Sequence, residues 1–286
     1  MTVGIRMSAE PVRRAAAFTI VELLVVIAIV AVVVSIAVPA YRHVSGNARL
    51  SMEMSAARQM AMAWNSYAAD SKSWILPGFK TGLPAFQEDG TTIPASTYGG
   101  GATIAARFPW RLAPYLGHNF YGMYVGAQRE ELDDLKNGPR EEFLYFASLY
   151  PSFGLNSTFV GGDQERYGFL PNPPAPFKGF YVSRLSSVRR PDQLLLCASS
   201  RTGATDDGRM VEGYFRLEAP SIVAPQWAAE YDPTDPASFG NVSARHAGAA
   251  VCAFTGGHVD SIRVDQLKDM RHWANGATAP DWTLAP

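Results

Sequence analysis

Residues 18–38 read FTIVELLVVIAIVAVVVSIAV, and this stretch decides how the chain is organised. It is 21 residues long, and its only polar side chains belong to Thr19, Glu22 and Ser35. A helix of this length spans about 30 Å, which is the apolar thickness of a bilayer. The sequence therefore predicts one transmembrane helix over residues 18–38.

Glu22 is the unexpected residue of this stretch, because it places a carboxylate near the start of an otherwise apolar helix. An ionisable side chain in the bilayer costs about 2.5–3.5 kcal/mol at the centre of a span and less near the interface. A paired buried charge costs much less than a lone one. We therefore expect Glu22 to acquire a positively charged partner.

Residues 1–17, MTVGIRMSAEPVRRAAA, form a basic leader with three arginines and one glutamate. Positive charge immediately before a span holds that end in the cytoplasm, so the sequence after residue 38 is predicted to be exported. The alanines at 15–17 imitate the small-residue box of a secretory signal peptidase, but that box must follow an apolar core and here it precedes one. An uncleaved signal anchor is the remaining alternative for this leader.

The residues around the end of the leader resemble the start of type IV pilins and type II secretion pseudopilins. That class begins G-F-T-L-I-E-L-L, and residues 17–24 read AFTIVELL. The basic leader, the glutamate position and the apolar length also agree, and Pro39 and Tyr41 stand where many pilins have proline and tyrosine. Ala17 departs from the pattern, because the class has glycine before the cut.

The resemblance implies that a membrane prepilin peptidase cuts between Ala17 and Phe18 and that the new Phe18 amine is methylated. Such an amine is mostly cationic at neutral pH and lies at the positive end of the helix dipole. Glu22 of one subunit would then pair with the amine of a neighbouring subunit. The expected partners are the prepilin peptidase and N-methyltransferase, other pilin or pseudopilin subunits, an inner-membrane assembly platform and membrane lipid.

The composition argues against nucleic acid as a partner. The chain has 25 basic and 26 acidic residues, and removal of the leader leaves 22 and 25, a net charge of −3. No basic patch indicates nucleic-acid binding, which also argues against a DNA-uptake pilin.

Two cysteines, Cys197 and Cys252, lie in short apolar runs that are typical of strands. An exported compartment permits a disulfide between them. Two small buried thiols are the alternative, because cysteine is among the most buried residue types. The sequence leaves both possibilities open.

A helical pattern continues from residue 39 to about residue 70. Apolar residues recur there at steps of three and four, which predicts one apolar stripe along the helix. The stripe comprises Leu50, Met54, Ala57, Ala61, Trp64 and Ala68. We expect this stripe to pack on the protein's own sheet, with Glu53 and the other polar side chains mostly off it.

The chain after residue 70 is rich in glycine and proline, which predicts long loops. Strands are predicted at 194–200 (LLLCASS), 251–254 (VCAF) and 258–262 (HVDSI), with a tight hairpin turn before the last of them. The fold class is therefore α+β and pilin-like, with a long N-terminal helix packed on an antiparallel sheet. The predicted domains are a leader (1–17), a transmembrane or filament-core helix (18–38), its amphipathic continuation (39–70) and an exported head (71–286).

The C-terminal region, about residues 240–265, resembles a pseudopilin-like subfamily that carries an H-x9-DG domain. His246 is followed after nine residues by Gly256 and Gly257, and then by His258. Gly256 stands where the subfamily has aspartate. Shorter segments at 110–116, 154–157 and 188–196 match the subfamily in the same order.

Two interpretations of this motif are open. In one, His246, His258 and Asp260 form a metal or catalytic site, since His258 and Asp260 share a strand face. In the other, the motif is a structural hairpin and His246 bonds to backbone or to a carboxylate at its base. No third ligand has diagnostic spacing, so we predict the structural role, with no metal and no cofactor. The acidic turn at Asp206 is predicted to be a plain turn rather than a calcium site.

The leading hypothesis for function is a structural subunit of a type II secretion pseudopilus or type IV pilus-like envelope filament, and not an enzyme. Its location would be the inner membrane, as a single-pass protein with an exported C-terminal head, and then the filament. The alternative is a membrane-anchored exported enzyme or ligand-binding module that uses residues near His246 and His258. A simple anchor, however, gives Glu22 no role.

Overall fold

The structure is a computed structural model that describes residues 19–93, 101–118, 120–204, 208 and 210–284. Two compact units make up the chain, Met1–Asn47 and Ala48–Pro286. The leader and the expected cut between Ala17 and Phe18 lie outside the described residues.

Helix α1, Ile20–Asp70, is the longest described element, and its first part, to Val38, is apolar apart from Glu22 and Ser35. In this part the large side chains from Ile20 to Val38 are all exposed, because no other part of the described chain covers them. Pro39 lies inside the helix. The predicted helix and its continuation to residue 70 are therefore both present.

The last part of α1 buries one face in the head. Its buried side chains are Glu53, Ala56, Ala57, Met60, Ala61, Ala63, Trp64 and Ala68. Small residues dominate this face, which lets the helix backbone approach its neighbours closely. The expectation that Glu53 falls off the apolar stripe is wrong, because its side chain is only 3% exposed.

Short helices follow α1 in the described part of the head. They are α2 Gly101–Ala106, α3 Phe108–Leu112, α4 Ala127–Leu135 and α5 Arg140–Leu149. Trp110 fixes α3 against α5, because its indole nitrogen donates to the Leu144 carbonyl at 2.9 Å. Its ring meets Phe120 and Phe143 edge to face, with centroids 4.4 Å and 5.9 Å away.

An antiparallel sheet forms the centre of the head. The described strands are β1 Phe153–Leu155, β2 Leu195–Ser199, β3 Thr202–Ala204, β4 Met210–Val211, β5 Ala249–Phe254 and β6 Val259–Arg263. The main sheet has the order β1-β2-β5-β6, and β3 pairs with β4 separately. The predicted C-terminal hairpin is present, since β5 and β6 pair from Ala249–Arg263 to Ala253–Val259.

Strands β2 and β5 of the main sheet are buried on both faces, whereas the edge strand β6 is partly exposed. Val251 and Ala253 join the core cluster that contains α1, whereas Ala250 and Cys252 join a second cluster that contains Trp273. Continuous apolar runs such as AAVCAF suit strands that are covered on both sides. The predicted α+β arrangement of a long N-terminal helix on an antiparallel sheet is therefore confirmed.

Candidate functional site

The first turn of α1 is closed by a reciprocal pair of polar residues. The Thr19 amide and hydroxyl donate to Glu22 Oε2 at 2.9 and 2.8 Å. The Glu22 amide donates back to the Thr19 hydroxyl at 3.2 Å. This is a capping box, in which threonine precedes the helix and glutamate stands three residues later. The T-x-x-E spacing of residues 19–22 is a local sequence signal for this box, and it gives Glu22 a role within its own chain in addition to the predicted pairing with a neighbouring subunit.

The surface of α1 from Leu23 to Val38 is apolar apart from Ser35. The helix is long and apolar enough to cross a membrane, and its most apolar window is not buried against the rest of the chain. Exposed valine, isoleucine and leucine side chains on every side require lipid or other apolar helices around them.

Glu53 is the centre of a second polar site, inside the head. Its Oε1 accepts hydrogen bonds from Arg245 Nη2 at 2.7 Å and from the Ser199 hydroxyl at 2.5 Å. Its Oε2 accepts from Arg245 Nε at 2.9 Å and lies 2.7 Å from His246 Nε2. An ionised carboxylate can only accept, so His246 donates from Nε2. We call Glu53, Ser199, Arg245 and His246 the helix lock, because they tie α1 to the sheet.

The guanidinium of Arg245 connects the helix lock to three further elements. Its Nη1 donates to Glu212 Oε2 at 2.9 Å and to the Ser200 carbonyl at 3.1 Å. Its Nη2 also reaches the Ser152 carbonyl at 3.1 Å. The hydroxyl of Ser243 donates to the same oxygen of Glu212 at 2.6 Å. Every nitrogen of Arg245 therefore has a partner, which a buried charge requires.

The charges and hydrogen bonds of the helix lock favour the ionised forms of Glu53 and Arg245. Burial by itself would raise the pKa of Glu53. The positive charge of Arg245 and the hydrogen bonds from His246 and Ser199 outweigh burial and lower that pKa to about 2. Burial likewise tends to lower the pKa of Arg245, but the negative charge of Glu53 outweighs it, so this pKa is raised.

The sequence contains a signal that Glu53 lies on the buried face of α1. Glu53 lies three residues after Leu50 and four before Ala57, so it shares their side of the helix. An acidic residue within an apolar face requires a buried partner. Its partners lie 146 to 193 residues further along the chain, and no spacing rule links these segments.

The two histidines of the C-terminal motif lie apart in the structure. His246 belongs to the helix lock and bridges to Ala249 at the start of β5. His258 follows the end of β5 and stacks on Phe254, with ring centroids 4.3 Å apart. The metal or catalytic site that would combine them with Asp260 is therefore not assembled. Among the described residues, no group of three or more potential ligands is placed to hold a metal ion.

The two glycines of the motif lie in the turn between β5 and β6. Gly257 has a φ of +93°, which the hairpin turn requires. Gly256 lies against the 191–192 turn, and a Cβ there would stand 2.8 Å from Asp192 Oδ1. A larger residue at this position, such as the aspartate of the H-x9-DG pattern, would have to move the Asp192 side chain, and its Cβ would lie 3.1 Å from the Pro191 carbonyl oxygen. Asp206 lies outside the described residues.

The cysteines are neighbours on adjacent strands but face opposite ways. Cys197 is aligned with Ala253, and Cys252 with Ala198. Cys197 belongs to the core cluster that contains α1, whereas Cys252 belongs to the cluster on the other face. Both are free and buried. This arrangement favours the free thiols, since a disulfide needs Cβ vectors that point toward each other.

A second buried ion pair lies beside strand β1, where Arg216 bridges to Leu155. Asp163 accepts from Arg216 Nε at 2.7 Å and from the Ser157 hydroxyl at 2.8 Å. Burial raises the pKa of Asp163, although Arg216 acts in the opposite direction. Asn156, next to Ser157, donates to the carbonyls of Leu195 and Trp273. The GLNS segment at 154–157 is thus explained by packing and hydrogen bonding.

Comparison with known proteins adds one finding about the N-terminal segment. Residues 12–38 match the prokaryotic N-terminal methylation motif. No curated protein and no solved structure is significantly similar to the chain. The resemblance of the C-terminal region to the H-x9-DG subfamily therefore stays a prediction. The motif at residues 12–38, which contains the apolar start of α1, indicates a type IV pilin-like or pseudopilin protein that a prepilin peptidase processes.

Proposed function

We propose that this protein is a structural subunit of a type II secretion pseudopilus or a type IV pilus-like envelope filament. The prepilin peptidase cuts between Ala17 and Phe18, the Phe18 amine is methylated, and α1 enters the filament core. The head stays outside the membrane and, being large, suits a minor or tip subunit. The peptidase, other subunits, an inner-membrane assembly platform and lipid are its partners.

One observation carries this proposal: the methylation motif includes the start of α1, whose apolar side chains have no cover within the described chain. Proteins with this motif are structural subunits rather than enzymes. An apolar helix that must be covered on all sides can exchange lipid for the helices of other subunits without losing apolar contact.

Glu22 is the proposed assembly residue. Its two bonds to Thr19 both use Oε2, and Oε1 accepts no hydrogen bond from the described residues, which leaves it for a neighbouring subunit's amine. In the apolar core of a filament, such a charge pair costs far less than either charge alone. The pair would also fix the axial position of one subunit against the next.

The test is Glu22→Ala in the native host. We expect the variant to reach the membrane and to be cleaved, but to be absent from sheared or crosslinked filaments. Ser35→Ala, a change at the other polar position deep in the span, is the matched control and should assemble normally. Normal incorporation of Glu22→Ala would reject the assembly role.

Mass spectrometry of the mature N-terminus tests processing separately. A methylated Phe18 at the start of the chain supports the proposal, whereas an intact leader supports a simple anchor. The alternative of an anchored enzyme built around His246 and His258 has little support, since His246 is bonded to Glu53 and His258 lies beyond the opposite end of β5.

A further inference from the structure

A cavity of about 370 Å³ opens in the head beside the end of α1. Its wall includes Tyr67, Phe86, Arg111, Pro114, Tyr115 and His118. This volume lies in the range of small-molecule sites, which are mostly apolar with a few placed polar groups. Arg111 and Tyr115 belong to the 110–116 segment, which resembles the H-x9-DG subfamily and has no part in the proposed function.

Arg111 is a buried cation with incomplete bonding. The residue is 5% exposed, and its Nη2 donates to the Ala106 carbonyl. Its Nε and Nη1 are buried and have no hydrogen-bond partner among the described residues. Burial lowers the pKa of Arg111 to about 10, so the group is still charged at neutral pH.

The other buried arginines show how unusual this is. Arg216 is paired with Asp163, and Arg201 donates from all three of its nitrogens to carbonyl groups. Arg107 donates to the Ser148 hydroxyl, and among its buried nitrogens only Nε lacks a partner in the described chain. Asp163 also attracts Arg111 from a distance, but Asp163 already accepts two bonds from Arg216. A buried guanidinium without a carboxylate costs several kcal/mol unless something else pairs with it.

The surroundings of Arg111 define what could pair with it. The nearby walls are aromatic, with Tyr67 and Tyr115 in edge contact at 5.6 Å between centroids. The Nδ1 atom of His118 is also buried and without a partner in the described part of the chain. Asp70 lies near Tyr115, but its side chain is exposed at the end of α1.

An adjoining cavity extends the site. It measures about 600 Å³ and shares Tyr67 and Leu83 with the first. Its wall includes Trp74 and Phe169, with the Lys80 ammonium 4.3 Å from the centre of the Phe169 ring. A ligand anchored at Arg111 could therefore place an apolar body against several aromatic rings.

We propose that this cavity binds an apolar carboxylate, whose carboxylate group pairs with the guanidinium of Arg111 and whose body lies against Tyr67 and Tyr115. Neither unpaired nitrogen of Arg111 reaches solvent, so binding requires the guanidinium to turn toward the cavity. The carboxylate can come from a free organic acid or from the carboxyl end of a peptide. This ligand site is independent of filament assembly and goes beyond the proposed structural role.

The test is calorimetric titration of the full-length chain in detergent with matched probes. Phenylacetate is compared with phenylacetamide, and N-acetyl-Ala-Ala-Phe with its C-terminal amide. We expect one of the acids to bind at least about tenfold more tightly than its amide, because a charge-assisted pair is lost in the amide. The acid that binds identifies the source of the carboxylate.

Arg111→Met should abolish this preference, whereas Arg189→Met, at an exposed arginine outside both cavities, should keep it. The unfolding temperature of Arg111→Met should not fall below that of the parent, since an unpaired buried charge is removed. Leu83→Trp places a larger side chain in the cavity and leaves Arg111 itself unchanged. This variant should also bind the acid more weakly. Binding of neither acid, equal binding of acid and amide, or an unchanged preference in Arg111→Met would overturn the proposal.

Discussion

Glu53 is a carboxylate that is buried in the head and accepts hydrogen bonds from four donor atoms. Ser199, Arg245 and His246 supply those donors from strand β2 and from the segment just before β5. Removal of one partner from such a set leaves the others buried and unpaired, which is more costly than losing a surface ion pair. The stability of the head should therefore depend strongly on this one side chain.

We expect Glu53→Gln to lower the free energy of unfolding by about 3 kcal/mol at pH 7, because Arg245 loses its counter-charge. The native pKa of Glu53 is depressed to about 2, so its contribution is complete above the unfolded-state pKa near 4.3. That contribution disappears as the pH falls through 2. Denaturant unfolding of both proteins from pH 7 to pH 2 measures the difference.

The difference between parent and Glu53→Gln should shrink steadily between about pH 5 and pH 2. Glu141→Gln, at an exposed position on α5, is the matched control and should change stability by less than about 0.5 kcal/mol. A pH-independent difference between parent and Glu53→Gln would contradict the electrostatic explanation and leave only a packing effect.

At the scale of single elements, the start of α1 combines two tasks in Thr19 and Glu22. The capping box satisfies the first amides of the helix and also fixes the rotamer of Glu22. If Glu22 pairs with a neighbouring amine, as proposed above, Thr19 pre-organises the residue that makes the contact.

Thr19→Ala should therefore reduce filament incorporation, because the Glu22 side chain loses its hydroxyl partner and must be ordered during assembly. Thr19→Ser keeps the hydroxyl and should assemble like the parent. The measurement is the ratio of filament to membrane-bound subunit for each variant, relative to Glu22→Ala. Equal ratios for Thr19→Ala, Thr19→Ser and the parent would show that the cap has no part in assembly.

The elements that the sequence predicts well are those with local patterns. The apolar stretch at 18–38 and the runs around Cys197 and Cys252 predicted α1, β2 and β5, because periodicity and composition alone decide them. The helix lock and the Arg111 cavity depend on contacts between distant segments, and a single sequence holds no spacing rule for those. The position of Glu53 on the apolar face of its helix is a local signal of burial. No local signal identifies the partner of Glu53.

At the scale of the whole molecule, the buried part of α1 begins at Glu53, which belongs to the helix lock. Every buried side chain on α1 lies between Glu53 and Ala68, and none of the described residues from Ile20 to Arg49 is buried. The core of Ala48–Pro286 therefore does not need the apolar half of the helix.

A chain that starts at Ser45 should consequently be soluble without detergent, monomeric and cooperatively folded. Its thermal unfolding should be sharp in circular dichroism, since both core clusters and the helix lock are retained. A chain that starts at Arg58 is the matched comparison. It loses Glu53, Ala56 and Ala57, leaves Arg245 without its main partner, and should unfold at a clearly lower temperature. Aggregation or non-cooperative melting of the chain from Ser45 would mean that the head needs the first half of α1 to fold.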